Sequence, residues 1–169
     1  LFYRNVFAHN VERNPLFKGG VRGAIVNNLI YDPQRRAVHY NLMALEWGNR
    51  PYQAGQMSAV GNVLRGGPST APRLPFLMLG GDGDLEYHGK DNVAIDQHGE
   101  PLPMFGRYGQ TKAQLIEKSE PVAWPAGIEV MPSQQVETHV LATAGARPWD
   151  RDEHDERREV RVVTPEPVG

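Results

Sequence analysis

The chain has 169 residues, a net charge of −2 and no cysteine. This length suits one domain, and the charge balance argues against a chain held to nucleic acid by phosphate contacts. Without cysteine there are no disulfides, thiolate metal sites or cysteine nucleophiles.

The 18 glycines and 14 prolines exceed an ordinary combined share of roughly 12%. They are spread along the chain, which predicts many turns, and no apolar run reaches the roughly 18 residues of a spanning helix. Leu1 to Phe7 carries neither an initiating Met nor the regions of a signal peptide. It reads as a strand, so the chain is expected to be an N-terminally incomplete piece of a longer one. Residues 1–10 should then pair with a preceding segment or a partner chain.

Four strand-length runs open on asparagine: Asn5-Val6-Phe7-Ala8, Asn28-Leu29-Ile30-Tyr31, Asn62-Val63-Leu64 and Asn92-Val93-Ala94-Ile95. A fifth apolar run, Ala37 to Met43, lies between the second and third. The irregular steps exclude a strict solenoid and predict a parallel β-helix whose coils stack about 4.8 Å apart, with loops of varying length. Asparagines at one bend of successive coils can hydrogen-bond as a ladder; the plainer reading is that asparagine favours turns.

Residues 65–81 and 97–127, both proline-rich, are expected to be covering loops. Ser133 to Ala144 reads as a helix, with Ser133 as N-cap, Val136, Val140 and Leu141 on one face, and Gly145 as the stop. A second helix is expected from Asp150, with Glu153 completing a capping box; its charged body, Asp152 to Val163, reads as a solvated face. The expected organisation is therefore coils with inserted loops over 1–131 and a helical extension packed on them over 132–169.

The stretch His9 to Gly20 carries two cations, Arg13 and Lys18, on either side of Pro15. Paired cations beside an extended strand suit a carboxylate-rich ligand; the alternative is a structural arginine and a solvated lysine. Trp47 and Tyr52 flank Gly48-Asn49-Arg50-Pro51. They are candidates, with Arg50, for binding a sugar chain, or else pack on the coils. Gly80 to Glu86 resembles a calcium loop without EF-hand spacing, and a Gly-Asp turn explains it as well. The histidines lack metal-ligand spacing; His9 reads as a turn or groove residue and His39 as a strand residue. Ser58, Ser69 and Ser133 lack a nucleophile-elbow context.

The run Asn5-Val6-Phe7-Ala8-His9-Asn10, then Arg13-Asn14-Pro15, Lys18 and Val26-Asn27-Asn28-Leu29-Ile30-Tyr31, resembles the pectate lyases of polysaccharide lyase family one. The resemblance continues through Gly61-Asn62-Val63-Leu64 and ends at Val140 to Pro148 and Arg151-Asp152. It implies an all-β, right-handed parallel β-helix of the pectin-lyase-like kind, with long loops and one or two C-terminal helices. It also implies a secreted enzyme that cleaves polygalacturonate or pectin by calcium-assisted β-elimination. Arg13 takes the place of the base and Lys18 that of the carboxylate-binding residue. A guanidinium ordinarily stays protonated, so an arginine base requires a positive field from a neighbouring cation or metal.

Two departures stand out. Lys18 replaces the family's usual arginine, and Tyr3-Arg4 stand where many members have two histidines. The family's acidic calcium ligands lie on coils before the Arg-x-Pro strand. Only Glu12 occurs in the first 30 residues, so no metal ligand is assigned here, the calcium ligands are expected upstream of Leu1, and the isolated chain is expected to be inactive. The expected partners are an acidic polysaccharide and the upstream segment or a partner chain, with no nucleic acid or membrane. Two alternatives are a non-catalytic polysaccharide-binding or scaffold β-helix and a galacturonan hydrolase; the latter needs paired carboxylates that are not apparent in the sequence.

Overall fold

The computed structural model describes residues 1–145; the helix expected from Asp150 lies outside the described residues. Short strands form three sheets, and every strand pairing within them is parallel. Sheet A orders β1 (Phe2–Tyr3), β4 (Arg22–Val26), β7 (Gly55–Val60), β10 (Leu85–Lys90) and β13 (Leu115–Glu117). Sheet B holds β2 (Val6–Ala8), β5 (Leu29–Tyr31), β8 (Val63–Arg65) and β11 (Val93–Ile95). Sheet C holds β3 (Leu16–Lys18), β6 (Val38–Leu42), β9 (Leu77–Gly81) and β12 (Phe105–Arg107). The chain visits A, B and C in turn, so each circuit adds one strand to every sheet, as in a parallel β-helix.

The bend from A to B explains why the circuits stay aligned. Arg4, Asn27, Gly61 and Asp91 all have positive φ, between 52° and 63°, a region that disfavours most side chains and turns the chain sharply. An asparagine follows each of them. Asn5 donates its backbone N–H and Nδ2 to Asn28 Oδ1, Asn28 does the same to Asn62, and Asn62 to Asn92. The middle rungs, Asn28 and Asn62, are fully buried, and their polar atoms are satisfied by the neighbouring coils.

Inside the stack, side chains line up in columns: Phe2–Ile25–Ala59–Gly89 from sheet A, Phe7–Ile30–Leu64–Ala94 from B, and Phe17–Tyr40–Leu79–Arg107 from C. Large rings require small neighbours across the stack. A Cβ on Gly23 would stand 2.9 Å from the Phe17 ring, and one on Gly55 would stand 2.4 Å from Tyr40. Tyr40 is fully buried, yet its hydroxyl donates to Asp84 O at 2.8 Å and accepts from Gly55 N–H at 3.1 Å.

Three expectations are corrected. Residues 65–81 are not one loop, because the prolines end at Pro75 and the apolar run from Phe76 continues into β9. Residues 97–127 likewise contain β12 and β13, which pair with the coil before them. The helix α2 (Ser133–Thr143) packs Val136 and Val140 against Leu29 and Val63, but Pro132 holds its N-cap position. Ser133 is the first helical residue, and its N–H and Oγ both donate to Asp91, so capping comes from a neighbouring bend.

Candidate functional site

Strand alternation divides sheet C into two faces. Phe17, Val38, Tyr40, Leu42, Leu77 and Leu79 point into the core. Lys18, His39, Asn41, Met78 and Gly80 therefore project outward, with Lys18, Asn41 and Gly80 in one register column and His39 beside Met78 in the next. Four segments border this face: residues 9–15, residues 32–37, residues 43–54, which include the single-turn helix α1 (Ala44–Trp47), and the segment after β12 that carries Tyr108.

Arg13 sits in the first border at φ +69° with its side chain 63% exposed. Its backbone is held by the next residue: buried Asn14 donates Nδ2 to Arg36 O, and its N–H donates to Ala37 O. Glu12 lies between two guanidiniums, 2.7 Å from Arg36 Nη1 and a loose 3.7 Å from Arg13 Nε. Lys18 donates Nζ to Asn41 Oδ1 at 2.6 Å and pairs with Glu46 of α1.

His39 lies among these cations. It is 3% exposed, and neither ring nitrogen has a hydrogen-bond partner. Burial, then the positive charge of Arg36, lowers its pKa to about 4; Glu12 opposes this, and Lys18 and Arg13 add smaller lowering contributions. Tyr108 meets it edge to face at 5.6 Å, and the Arg36 guanidinium lies 5.0 Å over the Tyr108 ring. The Tyr108 hydroxyl is buried without a hydrogen bond of good geometry, although Arg36 is close enough to favour its ionised form against the stronger effect of burial. Buried polar atoms are rarely left unpaired; among the described residues the unpaired buried side-chain atoms are those of His39 and Tyr108 on this face, with Arg4 Nε elsewhere.

The remaining sequence candidates fall at the edge of this face. Trp47 is half-buried against the coils, 3.1 Å from the position a Cβ on Gly20 would take. Tyr52 meets it edge to face at 6.5 Å and is 47% exposed, and Arg50 stacks over the indole at 5.8 Å. Trp47 thus packs on the stack, while Tyr52 and Arg50 offer surface. His9 bonds buried Asp32 through Nδ1 at 3.1 Å.

Gly80 to Glu86 spans the end of β9, a turn at residues 82–84 and the start of β10. Asp82 accepts from Ala44 N–H, Asp84 accepts from Gln114 N–H, and Glu86 pairs with Gln56 and Lys118. Among the described residues no group of three or more His, Asp or Glu stands ready for a metal ion. Glu12 and Glu46, which border the candidate face, are already paired with cations. The described residues therefore do not fit a calcium site.

The structure brings Arg13 and Lys18 to one face around His39, and sets Trp47, Arg50 and Tyr52 at its border through Glu46. Sequence reasoning missed Arg36, Asn41, Glu46 and Tyr108. Asn41 was legible in the alternation of Val38-His39-Tyr40-Asn41-Leu42; the others arrive from loops whose paths depend on coil stacking. No protein-family model, curated protein or solved structure matches the chain.

Proposed function

We propose that this chain is part of a polysaccharide lyase that binds an acidic, uronate-rich polymer outside the cell and cleaves it by β-elimination. The observation that supports this reading is the gathering of Arg13, Arg36 and Lys18 around a neutral, unpartnered His39 on the outer face of sheet C. A uronate carboxylate exchanging for Glu46 would meet the Lys18 ammonium and the Asn41 amide. Arg13, as the neutral guanidine, would then accept the C5 proton and become guanidinium. The C5–H electrons form the C4=C5 double bond, the C4–O4 bond breaks, and the departing oxygen takes a proton from water. Lys18 offsets the charge that builds on the carboxylate as the C5 proton leaves. The fold reading that accompanies this is a right-handed, pectin-lyase-like β-helix, in keeping with the handedness of parallel crossovers.

The test is absorbance of the unsaturated product when the whole natural protein acts on polygalacturonate, with calcium or with chelator. Arg13→Ala should lower turnover about a thousandfold or more, with the thermal midpoint unchanged because the side chain is exposed. Undiminished turnover would remove Arg13 from the mechanism. A second reading, polymer binding without cleavage, is favoured by the carboxylates paired with the cations, Glu12 and Glu46. Retention of polygalacturonate that depends on Lys18, with no product formed, would select it.

A further inference from the structure

Tyr108 holds its place on sheet C because Gly80 has no side chain. A Cβ on Gly80 would stand 2.9 Å from Cδ2 and 3.1 Å from Cε2 of the Tyr108 ring. The ring fills a gap bounded by Gly80, by the Arg36 guanidinium 5.0 Å from its centroid and by the His39 imidazole at 5.6 Å. No hydrogen bond of good geometry ties its hydroxyl there. Just beyond it, Gly109 and Gln110 form an exposed turn, and a Cβ on Gly109 would meet nothing within 4 Å. The ring therefore has room to leave.

Closure comes at the expense of hydrogen bonds. With the ring in place, both nitrogens of His39 and the Tyr108 hydroxyl are withdrawn from water without partners, so desolvation opposes the closed position. Moving the ring uncovers an imidazole that is neutral in these surroundings and so offers one donor and one acceptor. The register fixes what arrives there. Gly80 continues the outward column Lys18–Asn41–Gly80, two coils and roughly 10 Å from Lys18. A polymer held by one carboxylate at Lys18 and Asn41, and running along this column, carries its ring hydroxyls to the gap. A hydroxyl both donates and accepts, which suits a neutral imidazole; a carboxylate only accepts.

We propose that Tyr108 is a gate and that His39 behind it is a binding site for a ring hydroxyl of a polysaccharide, engaged when the Tyr108 ring swings off Gly80. The choice of a uronate polymer rests on the function proposed above, whereas the gate and the buried imidazole stand apart from it.

The test uses the whole natural protein carrying Arg13→Ala, so that polygalacturonate is held uncleaved. Its retention of polygalacturonate is compared with that of a linear galactan, the neutral polymer of the parent sugar. Adding His39→Leu should weaken retention about tenfold, the worth of one good hydrogen bond. His39→Gln, which keeps a donor and an acceptor, should recover most of it. Tyr108→Ala should strengthen retention severalfold, since no ring has to be moved; unchanged or weaker retention would overturn the gate. Polygalacturonate retention that depends on Lys18 but is unaffected by His39→Leu would overturn the hydroxyl site and spare the proposed function. Galactan held through His39 while polygalacturonate is refused would do the reverse. Retention of neither polymer would overturn both. With His39 and Tyr108 intact, the imidazole nitrogen chemical shifts of His39 should move when a galacturonate or galactose trimer is added. Shifts that stay fixed at saturation with both trimers would overturn the site even if the His39 and Tyr108 variants fail to fold.

Discussion

Two rows of polar side chains run along this stack, and they are treated in opposite ways. At the A-to-B bend the middle asparagines are buried and every amide is used. On the outer face of sheet C, His39 is equally buried but both its nitrogens are unused, and Tyr108 above it is in a similar position. The first row exchanges hydrogen bonds with water for hydrogen bonds with neighbouring coils and so holds the circuits in register. The second bears a desolvation cost with no compensating bond. That cost marks the face on which a ligand's hydroxyl or carboxylate would gain most.

The contrast can be broken at several points. The largest effect should come from Asn62→Ala, which leaves the buried N–H of Asn28 without its acceptor and takes the side-chain donor from the Ile25 carbonyl. It should cost about 3–5 kcal/mol by urea unfolding, counting roughly 1–3 kcal/mol for each uncompensated group and allowing for overlap. A cost under about 1 kcal/mol would show that the ladder is incidental.

His39 should give the next largest effect, through pH. Its folded pKa, about 4, lies below its ordinary value of 6.5, so below pH 6.5 the unfolded chain takes up a proton that the folded chain refuses. Stability conferred by the neutral imidazole is therefore complete above pH 6.5 and lost progressively down to pH 4. The loss is on the order of 3 kcal/mol, from about 1.4 kcal/mol per pH unit. His39→Leu should flatten this part of the stability–pH curve; an unchanged slope would assign it to other groups.

The smallest effect on stability should be at the Lys18–Glu46 pair, because both side chains are substantially exposed and such pairs contribute about 0–1 kcal/mol. Binding should separate the two partners. Lys18→Met should weaken retention of polygalacturonate about tenfold, whereas Glu46→Gln, which releases the ammonium, should strengthen it severalfold. Equal behaviour of the two variants would mean that the pair only braces α1 against the sheet.

The legibility of this fold in its sequence varied from sheet to sheet. The strands of sheet B stood out because each is a compact apolar run behind an asparagine. Those of sheet A were hidden, since β4, β7 and β10 carry Gly23, Gly55, Ser58, His88 and Gly89 where a strand usually carries β-formers. Two of those glycines make room for Phe17 and Tyr40, rings that arrive from across the stack, and no local window contains that information. Strand β9 was masked by the prolines just before it. At the candidate face, Arg13 and Lys18 were legible from their spacing around Pro15. Arg36, Glu46 and Tyr108 were not, because what brings them together is the register of one circuit on the next.

The steps between successive ladder asparagines are 23, 34 and 30 residues, yet the rungs stay in line. Two segments absorb the difference: 43–54 between β6 and β7, and 66–76 between β8 and β9. Length variation is thus diverted away from the hydrogen-bonded spine, and the first of these segments supplies Glu46, Trp47, Arg50 and Tyr52 to the rim of sheet C. Insertions there would reshape what the rim can grip while the spine that keeps the molecule upright is left alone, an arrangement that lets descendants of one scaffold diverge in taste without relearning how to fold.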